Sequence, residues 1–160
     1  MKKLFVAVIV LFLFPVNGIA QEQPTGEEAN RVINYYFNGQ GYGALLMESK
    51  LCREIAEEGP YKNECINAVS DNMVKKGEDV DVWMKFLVPE GDEANIMVSF
   101  SIDGRVRKVE KTTVSGSIRW RTWKAIPTYR TGDWSVIILQ EMADQDVQLG
   151  TFEYTVVGQE

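Results

Sequence analysis

Apolar residues along this chain fall first at helical spacing and then at strand spacing, with the change near Cys65. After an unbroken apolar run from Leu4 to Phe14, the residues Ala29, Val32, Ile33, Tyr36 and Phe37 share one helical face. Thr25 with Glu28 three positions later has the form of a capping box, which predicts a helix over 27–38. The stretch "GQGYG" at 39–43 interrupts it. Ala44, Met47, Leu51, Cys52 and Ile55 then read as a second helical stripe that ends before Gly59-Pro60. From residue 65 the period drops to two. Val80, Val82, Met84, Phe86 and Val88 alternate with Asp81, Trp83, Lys85 and Leu87, which predicts a strand with one buried face. "PEGDEA" reads as a turn, Ile96, Val98, Phe100 and Ile102 as a second strand, and Asp103-Gly104 as a two-residue hairpin turn that demands positive φ. Strands over 105–114, 118–124, 134–141 and 149–157 complete six, with a shorter seventh over 66–70. Strands at hairpin spacing with no helices between them predict an α+β chain, mainly an antiparallel, immunoglobulin-like β-sandwich preceded by a short N-terminal helical segment. The expected division is 21–63 for the helical segment and 64–160 for the β-domain.

The first residues bear on compartment. Lys2 and Lys3 precede the apolar run, and Gly18-Ile19-Ala20 puts small residues where a signal peptidase reads, so 1–20 is expected to be a cleaved signal peptide and the mature chain periplasmic or secreted. Eleven apolar residues fall short of the roughly 20 that cross a hydrocarbon core. No cysteine stands directly after the cleavage site, so lipid attachment there is not expected, and the later run Trp134 to Leu139 has strand length, so no transmembrane segment is expected after cleavage. Loss of Lys2 and Lys3 takes the net charge from −6 to −8, a balance that argues against nucleic acid as a partner. Cys52 and Cys65 are the two cysteines of an exported chain, and a disulfide is the expected outcome. It would close a loop of about 14 residues, worth on the order of 3 kcal/mol in the chain-entropy picture.

The inventory of reactive groups argues against catalysis. The chain has no histidine, so Ser-His-Asp and Cys-His arrangements are excluded, and "TVSGS" around Ser115 is not a nucleophile elbow. Carboxylates cluster in turn-like stretches such as "KKGEDVD" and "PEGDEA", where they read as solubilising loop charge rather than a glycosidase pair. A C-x12-C spacing suits neither a thiol oxidoreductase nor zinc, and "ADQDVQ" lacks the glycine and terminal glutamate of a calcium loop. "GQGYG" follows a predicted helix rather than a strand, which makes it a connecting turn and not a nucleotide fingerprint. No metal site, catalytic residue or cofactor is expected.

Charge is unevenly spread. Between Arg105 and Arg130 stand eight basic residues opposed by Glu110 alone. Alternation over 118–124 puts Ile118, Trp120 and Thr122 on the core face, and Arg119, Arg121 and Trp123 on the other. If 105–114 is the hairpin partner, Arg105, Arg107 and Lys111 lie close by, with Lys124 at the end of the strand. The stretch "DGRVRKVEKTTVSGSIRWRTWKAIPTYRTGDWSVIIL", followed by "GTFEYTV", resembles the uncharacterised bacterial family domain of unknown function 2914, through Arg119, Arg121, Thr122, Trp123, Gly132, Trp134 and Val136. The likeness covers about 65–157. It lacks the histidine that often precedes the family's central hairpin, and the N-terminal segment is an addition. The resemblance implies an envelope-associated β-domain and carries no assigned activity. Taken together, these features predict a binding or adaptor protein of the cell envelope. Arg105, Arg107, Lys111, Arg119, Arg121, Trp123 and Lys124 would face an acidic envelope protein or an anionic polysaccharide. Alternatives are a carbohydrate-binding module with Trp83, Trp123 or Tyr129 as stacking platforms, and a hydrolase using carboxylates.

Overall fold

Strand geometry begins earlier in the chain than the apolar spacing predicts. The computed structural model describes residues 25–33, 36 and 43–158. Its elements are α1 (Gly26–Ile33), β1 (Leu45–Ile55), β2 (Cys65–Ala68), β3 (Met73–Lys75), β4 (Asp81–Ile102), β5 (Arg105–Ala125), β6 (Gly132–Gln140) and β7 (Val147–Val157). The expected signal peptide and all of "GQGYG" but Gly43 lie outside the described residues.

The expected second helix is instead β1, and the pairing explains why its sequence mimics a helix. Leu46 pairs with Phe86 and Glu48 with Lys85, so Met47 is an extra residue that shifts the alternation. Beyond the bulge Leu51 pairs with Val82 and packs in the core, while Cys52, one residue on, is buried against the opposite face by its disulfide. Apolar residues drawn from two faces of a bulged strand thus fall at three- and four-residue spacing. β1 hydrogen-bonds to β4, so residues on both sides of the expected 63/64 boundary share one sheet.

The strands form a single mixed sheet in the order β2-β1-β4-β6-β7-β3, with β5 paired to β4 and β3 parallel to β7. The expected pairs of short strands are two long ones. "PEGDEA" does not end β4: Val88 pairs with Ser117 and Glu93 with Ser115, so residues 89–92 stand opposite Gly116 alone. Such a wide irregularity bends the β4–β5 ribbon rather than reversing it. Gly116 suits the bend, because a Cβ there would lie 3.1 Å from the Glu90 Cα and the Gly91 nitrogen, so that the facing backbone would have to give by a few tenths of an ångström. The expected hairpin turn does form between β4 and β5, with φ of 53° at Asp103 and 67° at Gly104.

The bend lets both halves of β4 serve one core. Val82, Met84, Phe86 and Val88 from the first half join Ala94, Ile96, Val98, Phe100 and Ile102 from the second, with Leu51, Val74, Trp134, Val136, Ile138, Tyr154 and Val156 from neighbouring strands. β1 pairs with the first half (Asp81 to Leu87) and β6 with the second (Ile96 to Ile102). The curl also brings the two ends of β5 together, so that Lys108 donates to the Ala125 carbonyl at 2.6 Å. Trp134 anchors the core as its position after "TGD" predicts, stacked on Tyr154 at 6.1 Å with its indole nitrogen donating to the Arg130 carbonyl. The β-rich character of the expected architecture holds, as one curled mixed sheet.

Candidate binding face

The outer face of the first half of β4 is covered, although alternation alone would leave it to solvent. Trp83 projects there between two register partners, Lys50 on β1 and Trp123 on β5. It is fully buried. The cover is the segment 56–64, which leaves β1, turns and returns as β2. Its own hydrogen bonds hold it, from the Ala56 nitrogen to the Glu64 carbonyl (2.9 Å) and from the Asn63 nitrogen to the Ala56 carbonyl (2.7 Å). Cys52 and Cys65 are bonded, with Cα atoms 5.8 Å apart, and staple the base of this loop. The bridge joins two adjacent strands, β1 and β2, and not a helix to the β-domain. The Trp83 indole donates to the Asn63 carbonyl at 2.8 Å, and the Lys50 ammonium stands 4.8 Å from the ring centroid.

Ion pairs continue along this face. Lys85 and Arg121 are register partners of like charge, a repulsive arrangement unless acids intervene. Glu48 takes Lys85 at 3.1 Å and Lys50 at 2.7 Å, and Glu64 from the loop takes Arg121. Burial by itself would raise the Glu48 carboxyl, but the bonds and charges of Lys50 and Lys85 outweigh it and hold the group below the ordinary glutamate range. Asp81 differs. Burial is the largest influence on it and Asp79 adds repulsion, so its carboxyl is pushed up despite the opposing charge of Lys108.

Between the loop and the end of β5 lies a cleft of about 360 Å³, lined by Ile55, Ala56, Glu57, Asn63, Asp81 and Trp123. Trp123 forms one wall and is 38% exposed. Asp81 and Glu57 make no ion pair among the described residues, whereas Glu48, Glu64, Glu78, Asp103, Glu110 and Glu141 all do.

The residues expected to form one cationic face are scattered. Arg121 and Trp123 share the outer face of β4 and β5 as alternation predicts. Arg119 does not repeat their register: Phe86 pairs with Trp120 and Val88 with Ser117, so residues 118 and 119 oppose Leu87 together. That bulge also turns Ile118 outward, 64% exposed, correcting its expected place in the core. Trp120 packs against the core cluster. The strand facing 118–124 is the first half of β4 and not 105–114, which lies farther along the same strand, so Arg105, Arg107 and Lys111 are not cross-strand neighbours of Arg119 and Arg121. Lys111 is paired with Glu141, and Arg107 sits at a register shift near the hairpin. Lys124 pairs with Val82 and points away from Trp123.

Of the three aromatic platforms, Trp83 is sealed. Tyr129 is exposed but stands edge-on to Trp134, 5.6 Å between centroids. Asp81, Asn63 and Glu57 were not singled out as ligand-facing by sequence reasoning. The available signal was Trp83 itself, a large apolar residue on the polar side of an alternating strand.

Among the described residues, no three or more His, Cys, Asp or Glu side chains come together as a set that could hold a metal ion. No helix among them is long and apolar enough to cross a membrane. No protein-family model matches the chain, and no curated protein does.

Proposed function

We propose that the chain is an exported, non-catalytic binding protein of the cell envelope, and that β5 is the strand it presents to an acidic partner. One observation carries this reading. β5 runs for 21 residues and pairs with β4 alone, so its second edge carries no strand among the described residues. An open edge offers a row of backbone donors and acceptors, and an extended segment can add to it. Along that edge Arg105, Arg107 and Lys124 make no ion pair among the described residues, while Val106, Val109 and Ile118 are exposed. Like charges discourage a second copy of the chain from docking edge to edge and favour an acidic segment instead. The disulfide fits an oxidising compartment, and the signal-peptide pattern at 1–20 fits export. The curl, which sets the two halves of β4 over one core, is the form in which this reading retains the sandwich.

An acidic peptide of alternating glutamate and valine, labelled with a fluorophore, tests the edge. Binding should weaken steeply between low and physiological salt and be lost in R105E/R107E/K124E, whose melting temperature should stay near that of the parent. Equal affinity of parent and triple variant would sink the proposal. Binding to an anionic polysaccharide but not to the peptide would keep the basic strand and change the partner.

A further inference from the structure

We infer that the cleft between the disulfide loop and Trp123 holds a cationic group, a guanidinium or ammonium, seated between the Trp123 ring and the Asp81 carboxylate. The inference is independent of the β5 edge, because it rests on acids and an aromatic wall rather than on the basic side chains.

Charge pairing across the molecule is the first argument. The partly buried acids of this face, Glu48 and Glu64, each have a basic partner, and Glu78 has Arg53 at 2.6 Å. Asp81 is half buried yet has no ion pair and no side-chain hydrogen bond among the described residues. A carboxylate withdrawn from water without a partner is destabilising, and its upward shift, caused mainly by burial, reflects that. Lys108 is near enough for its charge to act on Asp81, but its ammonium bonds Glu110 at 3.1 Å and the carbonyl of Ala125, the register partner of Asp81, at 2.6 Å, and makes no ion pair with the Asp81 carboxylate. Arg121 is taken by Glu64. Glu57 on the cleft wall and Asp79 near Asp81 add further negative charge. The cleft therefore favours a positive occupant.

The second argument is shape. Trp123 is 38% exposed on the cleft wall, tryptophan being the best aromatic partner for a cation, and Asn63 lines the same cleft. A volume of about 360 Å³ lies at the small end of ligand sites, enough for one head group and its stem but not for a run of sugar rings. An arginine or lysine side chain fits both the charge and the size.

Titration of the 15N-labelled, disulfide-intact protein with Nα-acetylarginine amide tests this, with the Trp123 indole signal assigned by loss in W123F. The expected result is a saturable shift at Trp123 and at the Ala56 and Asn63 amides, with a Kd on the order of 1 mM. The corresponding citrulline amide, of the same shape but uncharged, should bind at least about ten-fold more weakly. D81N should lose a similar factor while melting no lower than the parent, because it removes an unpaired, half-buried charge. W123A provides a second route should D81N be misfolded. A lysine amide and an Arg-containing tripeptide, run beside the arginine amide, separate ammonium from guanidinium and a peptide source from a free cation. Equal binding of the citrulline and arginine amides overturns the inference, as does full affinity in both D81N and W123A. Perturbation of Trp123 by cellobiose with the arginine amide silent would overturn it in favour of a carbohydrate site.

Discussion

Trp83 and Trp123 are register partners on adjacent strands and project from the same face of the sheet, yet their removal should have unequal consequences. Trp83 is fully buried beneath the 56–64 loop and donates to the Asn63 carbonyl. Truncating a buried aromatic to alanine costs about 3–5 kcal/mol through lost transfer free energy and the cavity left behind. The loop gives little scope for collapse, since the disulfide and its internal hydrogen bonds fix it, so the upper half of that range is expected. Loss of the indole donor leaves the Asn63 carbonyl without this partner and adds about 1 kcal/mol if water cannot reach it. Trp123 is 38% exposed on an open cleft, and W123A should cost no more than about 1 kcal/mol. The gap between the two variants should therefore be at least about 2 kcal/mol. Urea denaturation of the oxidised proteins, followed by far-UV circular dichroism, measures it. With an m value of about 1.5 kcal/mol/M, W83A should unfold more than about 1 M earlier than W123A. Comparable losses in the two variants would refute the reasoning, because they would mean that the loop does not seal Trp83 from water.

Two further outcomes follow from the same layer and its neighbour. Unreduced, unfolded protein should titrate with no free thiol, and C52A/C65A should lower stability by about 3 kcal/mol in the same denaturation assay, with Trp83 emission shifting to the red before the β6–β7 region opens. At acid pH, Glu78 is the group to follow: the Lys75 backbone N–H, bonded at 2.7 Å, and then the Arg53 side chain hold its carboxyl below the ordinary glutamate range. Its folded value lies below its unfolded value of about 4.3, so its contribution is present above that pH and is lost as the pH falls through the depressed folded value. E78Q should accordingly flatten the acid limb of the stability profile measured between pH 6 and 3, and an unchanged limb would contradict the assignment.

Local signals served well where neighbours on one strand decide the outcome. The Asp103-Gly104 turn, the inward set of β4 and the anchoring of Trp134 all follow from period and turn chemistry. The failures in assigning strands and faces lie where an extra residue breaks the period. Met47 in β1, Arg107 and the 118–119 pair in β5, and residues 89–92 in β4 are such places. At Met47 the bulge made a strand look like a helix; at 118–119 it moved Ile118 out of the core and Arg119 out of register with Arg121. "PEGDEA" has the composition of a turn, and only the unbroken partner strand, with Gly116 opposite, makes it a bend within β4. A single sequence contains the bulged strand but not the pairing that defines the bulge.

The basic block fails as a unit for a different reason, which also locates the candidate site. Seven of its eight cations lie on β5, and a strand that long, bent over a core, cannot gather them on one surface. Acids distant in sequence then take them one at a time: Glu64 with Arg121 and Glu141 with Lys111. What remains after pairing is informative. On the outer face of β4 and β5, two tryptophans and one aspartate occupy positions that alternation assigns to solvent. The loop stapled by Cys52 and Cys65 covers one tryptophan completely and stops short of the other, leaving Asp81 beside it with no ion pair among the described residues. Cover for the first tryptophan and a wall of the cleft at the second thus come from the same loop, which bonds Trp83 through the Asn63 carbonyl and lines the cleft through Ala56, Glu57 and Asn63.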